Sequence, residues 1–287
     1  MRFGFWIEPL IFNPSLAKRV KLGSNVVKIG ATSILVDAHV HLSDPLLQNR
    51  VEQITLFLKA SGTKVCSVST DIASSRTALV IANTLGTFGY TFIGIHPQQC
   101  ATESKEEFLK FFTKNLKRID GIGEIGLDGT YSQDSTFLKM QDGMFEYMLG
   151  LAEKHSFPIS VHSRGATSKT IDTLGKYDLK GVLLHWFSGT EQELSRANSK
   201  GYYVSFGPSV VYSKRFQKLA RNAAKDLILI ETDGPVSYGA CFGGRMADPT
   251  FLASVWNSLA MAIGAKHDEL EHRLDSNFSS YIGRSKG

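Results

Sequence analysis

A chain of 287 residues, 43% apolar and 21% charged, is long enough to bury a sizeable core in one large domain or two small ones. Its formal net charge of +5 suits a polyanionic partner, and equally a basic surface without one. Cys66, Cys100 and Cys241 lie far apart without CxxC spacing, which argues against a disulfide framework or a thiolate zinc knot and fits a reducing, cytoplasmic setting.

The opening stretch, MRFGFWIEPLIF, is apolar, but Glu8 and Pro9 interrupt it before signal-peptide length and no small-residue cleavage site follows. Residues 1–33 read as an extension, expected as a hairpin laid on the main domain, with a misassigned start as the alternative. The chain has no run of 18 consecutive apolar residues, so no membrane span is expected. The main domain is expected over 34–287, without an obligate protein partner.

The first element of that domain is ILVDAHVHLSDP, residues 34–45. Its apolar start reads as a buried strand, on which Asp37, His39 and His41 share one face. Two imidazoles roughly 7 Å apart along a strand converge on one ion if the strand end curls. Similar runs follow at KVCSVST (64–70), TFIGIH (91–96), GIGEIG (121–126), PISVHS (158–163), GVLLH (181–185), GYYVSF (201–206) and LILIETD (227–233). Between most of them lie helix-like patterns such as FEYMLGLAEKH (145–155), apolar at three- and four-residue spacing. Strand alternating with helix implies parallel pairing, and eight such units predict a closed α/β barrel, the (β/α)₈ TIM fold. A doubly wound sheet is the rival, but no GxGxxG follows the first strand.

Polar residues mark the strand ends. His39 and His41 end the first run, His96 the third, Glu124 the fourth, His162 the fifth, His185 the sixth and Asp233 the eighth. In a barrel these ends gather on one rim, where active sites are built. Core packing gives no reason to put imidazoles and carboxylates there. A metal centre does, and a mixed nitrogen and oxygen donor set suits zinc, manganese or iron. More donors than one ion needs point to two divalent ions sharing a carboxylate, an arrangement used for phosphate-ester hydrolysis.

The motifs DAHVHL, GIHP (94–97), GEIGLD (123–128), VHSR (161–164), LHWFSG (184–189) and ETDGP (231–235) occur in the order found in TatD-like deoxyribonucleases. Over roughly residues 34–284 the chain thus resembles that family of metal-dependent hydrolases, part of the amidohydrolase-like barrel superfamily. The resemblance implies that His39, His41, Glu124 and Asp233 hold one divalent ion (zinc, magnesium or manganese). It implies that Glu124, His162 and His185 hold a second, with Glu124 bridging. Asp233 would orient or deprotonate the attacking water, making Glu124 and Asp233 the catalytic carboxylates. His96 and Arg164 would meet a substrate phosphate, and Arg245 stands in roughly the family's place for a further contact. The implied substrate is nucleic acid, with single-stranded DNA expected.

Two positions depart from the family. Trp186 replaces a small residue or cysteine, and Gly129 replaces an aromatic after GLD; both are expected to border the pocket. Asp37 is expected to support the ligands rather than bind metal. His155 reads as a helix-end residue, His267 and His272 as a solvated face, and Asn277 as packing. Lys214, Arg215 and Lys218 fit either a basic rim for a phosphodiester backbone or a solvated helix start. Tyr131, Trp186, Phe187, Tyr212 and Phe242 offer stacking surfaces for bases unless they are core.

The expected activity is hydrolysis of DNA. An amide, ester or lactone hydrolase of the wider superfamily is the alternative. Its two-metal members often carry a modified lysine on strand four, where Glu124 stands here. A barrel that has lost catalysis is a third reading, disfavoured by the complete ligand set.

Overall fold

The computed structural model describes residues 19–22, 25–28 and 35–283. Two strands, β1 (Arg19–Leu22) and β2 (Asn25–Lys28), pair antiparallel as a hairpin. The expected seat of residues 1–33 on the main domain lies outside the described residues.

Every apolar run of the main domain becomes a strand. They are β3 (Val36–Val40), β4 (Lys64–Ser67), β5 (Gly89–Ile93), β6 (Gly121–Gly126), β7 (Ile159–His162), β8 (Val182–Leu184), β9 (Tyr203–Phe206) and β10 (Ile228–Ile230). These eight pair in parallel, each with its neighbour in sequence, and β10 meets β3 through Ile230 and Asp37 to close the barrel. The strands read as near-continuous apolar runs because helices cover them from outside. Ser135–His155 shows how: Met144, Phe145, Met148, Leu149 and Leu151 form its buried stripe, and Asp134 caps its start by accepting from the Phe137 amide at 2.8 Å. His155 ends this helix, as expected.

The amino ends of the strands are covered by the helix His267–Ile282. Its Phe278, Tyr281 and Ile282 pack with Val36, Phe92, Leu183, Tyr203 and Leu229. The Tyr281 hydroxyl donates to the Ile159 carbonyl at 3.1 Å, and Asn277 donates to the carbonyls of Lys225 and Ile228 at 2.9 and 2.8 Å. That end is sealed, which leaves the carboxyl ends open. His267 is not a solvated residue: it bonds Asn257 at 2.9 Å and packs edge-on against Trp256. Among the described residues no helix is long and apolar enough to cross a membrane.

Candidate metal centre

Two irregularities in the sheet set the geometry. The register of β3 against β4 shifts between Asp37 and Val40, around His39, and that of β6 against β7 shifts between Ile122 and Ile125, around Glu124. Such bulges re-aim side chains near active sites. Gly126 lets β6 run against β7, since at its φ of 141° an added Cβ would stand 2.0 Å from the His162 carbonyl oxygen. Asp233, just after β10, sits at φ 49°, and Trp186, just after β8, at φ 39°. Side chains rarely hold this left-handed backbone, and the cost of about 1–3 kcal/mol each is typical of functional sites.

Glu124, 3% exposed, stands at the centre with its two oxygens facing different neighbours. Oε2 lies 3.6 Å from His39 Nε2 and 3.3 Å from His41 Nε2. The same two nitrogens lie 3.6 and 3.3 Å from Asp233 Oδ1. Oε1 lies 2.9 Å from His162 Nδ1, 2.8 Å from His185 Nε2 and 3.4 Å from His96 Nε2. One carboxylate therefore separates two nests of donors.

Two of the imidazoles are held from behind by hydrogen bonds. His39 Nδ1 bonds the Ser160 hydroxyl at 2.8 Å, and its ring stacks on His185 with centroids 3.7 Å apart. His162 Nε2 bonds Asp128 Oδ2 at 3.1 Å. His185 Nδ1 faces Glu231 Oε1 at 3.7 Å, too long for a hydrogen bond, and neither atom has a hydrogen-bond partner among the described residues. The Ser205 hydroxyl donates to Glu231 Oε2 at 2.5 Å and accepts the Trp186 amide at 3.2 Å, which anchors the turn after β8. Asp37 supports the backbone rather than an imidazole: it accepts from the Thr232 amide at 2.9 Å and the Thr232 hydroxyl at 2.5 Å. Burial pushes its carboxyl up to about 8.

The charges of the centre depend on one another. Burial alone would raise the Glu124 carboxyl, but His96, His185 and the hydrogen bonds of His162 and His185 hold it well below the ordinary carboxylate range. Burial would likewise lower His185, yet Glu124 lifts it well above the usual imidazole value. His39 is pushed down by burial and by His185, which favours the neutral ring a metal needs. The His39 and His41 Nε2 atoms stand 3.2 Å apart, close enough for both lone pairs to meet one cation. Buried imidazoles and carboxylates without sulfur fit divalent metal binding. His39, His41 and Asp233 form one compact donor group, and His96, Glu124 and His162 another.

Above the centre opens a cavity of about 680 Å³. Arg164 and His96 line it, as do Trp186, Phe216, Pro235 and Val236, which form an apolar part of its wall. Arg245, expected at the substrate, is not among the lining residues. Its Nε donates to the Phe242 carbonyl at 3.1 Å and its guanidinium lies 5.6 Å from the Phe251 ring centre. Phe187 and Phe242 are core and offer no stacking surface, whereas Tyr131 and Tyr212 are exposed. The basic rim shrinks too. Arg215 donates to the carbonyls of Ser188 and Gly189, and Lys218 pairs with Glu191, so both hold local structure. Gly129 borders the next loop: a Cβ there would stand 2.5 Å from the Gly165 carbonyl oxygen, so an aromatic would need that loop to move.

Asp128, Glu231 and Ser160 were not singled out from the sequence. Asp128 ends GEIGLD and Glu231 begins ETDGP, so a carboxylate at a strand end was the available signal.

The family model for "TatD related DNase" matches residues 36–283. Human deoxyribonuclease TATDN3 is 28% identical over 217 residues, 70% of this chain and 78% of that protein. An uncharacterized metal-dependent hydrolase of Buchnera aphidicola is 30% identical over 264 residues, 85% of this chain and 97% of its own. The crystal structure of YjjV, a TatD homologue from Escherichia coli, superposes with a TM-score of 0.80 at 24% identity, covering 88% of this chain and 98% of that one. A barrel with this donor set, matched to the family over nearly its whole length, is a metal-dependent hydrolase, and the chain belongs to the TatD related DNase family.

Proposed function

We propose that the protein is a deoxyribonuclease that hydrolyses phosphodiester bonds with two divalent ions, acting on single-stranded DNA. The observation that carries this reading is Glu124, whose Oε2 faces His39 and His41 while Oε1 faces His162 and His185. In this reading His39, His41 and Asp233 hold one ion, His162 and His185 the other, and Glu124 joins them. The imidazole nitrogens suit zinc, and the carboxylates suit manganese or magnesium. When bound, such ions supply a water acidified towards neutrality and neutralise charge on the phosphoryl oxygen.

The remaining work falls to side chains. Asp233 takes the proton of the attacking water. Arg164, its side chain 57% exposed at the cavity, grips a phosphate through a planar two-pronged contact. His96 contributes a hydrogen bond to the same charge. Trp186 and Phe216 supply apolar surface for an unpaired base. Residues 1–33 are read as an extension to the catalytic unit, supported by the family match beginning at residue 36, and the separated cysteines support a cytoplasmic setting.

The test is Glu124→Gln. Metal content should fall below two ions per chain, and cleavage of an end-labelled single strand should fall about 10³-fold or more, since several kcal/mol of charge stabilisation are lost. Near-normal cleavage with two bound ions overturns the assignment. So does wild-type cleavage that survives exhaustive chelation.

A further inference from the structure

Asp128 is wholly buried beneath the cavity floor and uses its two oxygens differently. Oδ1 accepts from the Thr130 amide at 2.8 Å, the Thr130 hydroxyl at 2.7 Å and the Tyr131 amide at 3.2 Å, which fastens the turn after β6. Oδ2 meets three side chains that line the cavity: it accepts from His162 Nε2 at 3.1 Å and Gln98 Nε2 at 3.4 Å, and forms an ion pair with Arg164 Nη2 at 3.2 Å. His162 turns its other nitrogen to Glu124 at 2.9 Å. The carboxylate thus lies out of open solvent and belongs to neither donor nest, yet it contacts His162 of one nest and Arg164 of the cavity wall.

We infer that Asp128 is a positioning residue that couples metal binding to substrate binding, because one oxygen orients both the metal-facing ring of His162 and the phosphate-facing guanidinium of Arg164. The inference rests on the roles proposed above for those two residues. Accepting the Nε2 proton of His162 leaves the Nδ1 lone pair free on the Glu124 side. The ion pair holds one edge of Arg164, a long, half-exposed side chain, and leaves its other donors for a ligand. A general packing role predicts neither of these separately.

Asp128→Asn retains an acceptor for Thr130 and Tyr131 and turns an NH₂ donor against three donors. Titration with Mn²⁺ should show one of two equivalents weakened by about 10–100-fold, the usual cost of losing a ligand's supporting carboxylate, with the other unchanged. At saturating Mn²⁺, KM for a single-stranded oligonucleotide should rise about tenfold while kcat stays within about threefold, the pattern of lost binding rather than lost chemistry. In an Arg164→Ala background the KM effect of Asp128→Asn should vanish while the metal effect persists in full. Wild-type affinity for both equivalents overturns the inference, as does a KM effect that survives in the Arg164→Ala background. Should Asp128→Asn not fold, the Zn²⁺-loaded wild-type protein carries the test. Long-range proton–nitrogen spectra should place the His162 proton on Nε2, and a proton on Nδ1 overturns the inference. A wild type that binds no pair of ions defeats the functional reading itself; an active wild type with an indifferent Asp128→Asn defeats only the coupling.

Discussion

The Nε2 atoms of His39 and His41 stand 3.2 Å apart, and both lie within 3.6 Å of Asp233 Oδ1. Two neutral imidazoles presenting lone pairs to one point repel unless a proton or a cation lies between them. Added Mn²⁺ or Zn²⁺ should therefore raise the melting temperature, by about 4 kcal/mol of stability at a thousandfold excess over Kd. Chelator should reverse the rise, and His41→Ala should retain only part of it. A melting curve indifferent to metal and chelator would contradict this arrangement.

Arg164 and Asp233 should separate kinetically. Arg164→Ala should leave metal content intact and raise KM, because its guanidinium contacts Asp128 and the cavity rather than the donor nests. Asp233→Asn keeps the side-chain shape but cannot take a proton. It should slow the chemical step by roughly 10²–10⁴-fold while substrate still binds. Single-turnover rates and elemental analysis of both variants check the division. Metal loss in Arg164→Ala with normal turnover in Asp233→Asn would reverse the roles.

Gly126→Ala should be among the most damaging small substitutions in the barrel. A positive φ such as the 141° here costs about 1–3 kcal/mol for a residue with a Cβ, and that Cβ would meet the His162 carbonyl oxygen at 2.0 Å. The strand carrying His162 must move, so stability and metal affinity should fall together. Urea denaturation and Mn²⁺ titration measure both, and a variant with wild-type values for each refutes the close approach.

Arg215→Ala tests whether the helix start at Lys214 reads nucleic acid. Arg215 already donates to Ser188 and Gly189, and Ser188 lines the cavity. Substitution should loosen that loop and raise KM without altering the salt dependence of binding. A phosphate contact would instead lower the slope by roughly 0.7 on a single strand.

The barrel was legible because each buried parallel strand leaves a short apolar run, and because His39, Glu124, His185 and Asp233 interrupt those runs where packing has no use for them. Their supports were not. Asp128 meets His162 across 34 residues of sequence and Ser160 meets His39 across 121, distances that no local pattern encodes. Arg215 and Lys218 fitted a basic rim and a solvated helix start equally well, because sequence shows charge but not the carbonyls and carboxylate that occupy it. Phe187 and Phe242 could be read as platforms or as core for the same reason: an aromatic ring near a rim is equally suited to filling the space beneath it.

Asp37, on β3, and Thr232, two residues past β10, sit where the cylinder is zipped shut. Only Ile230 and Asp37 pair there in register, and the joint continues through a side-chain clasp, the Asp233 amide on the His39 carbonyl at 3.0 Å and the His41 amide on the Gly234 carbonyl at 2.8 Å. His39 and His41 lie on one side of this seam and Asp233 on the other. An ion shared by those three would rivet the last strand to the first. Its release would remove one of several ties across the seam, and a parted seam would bare two unpaired strand edges of the kind that recruit other chains. Keeping the metal would then also help to keep those edges covered.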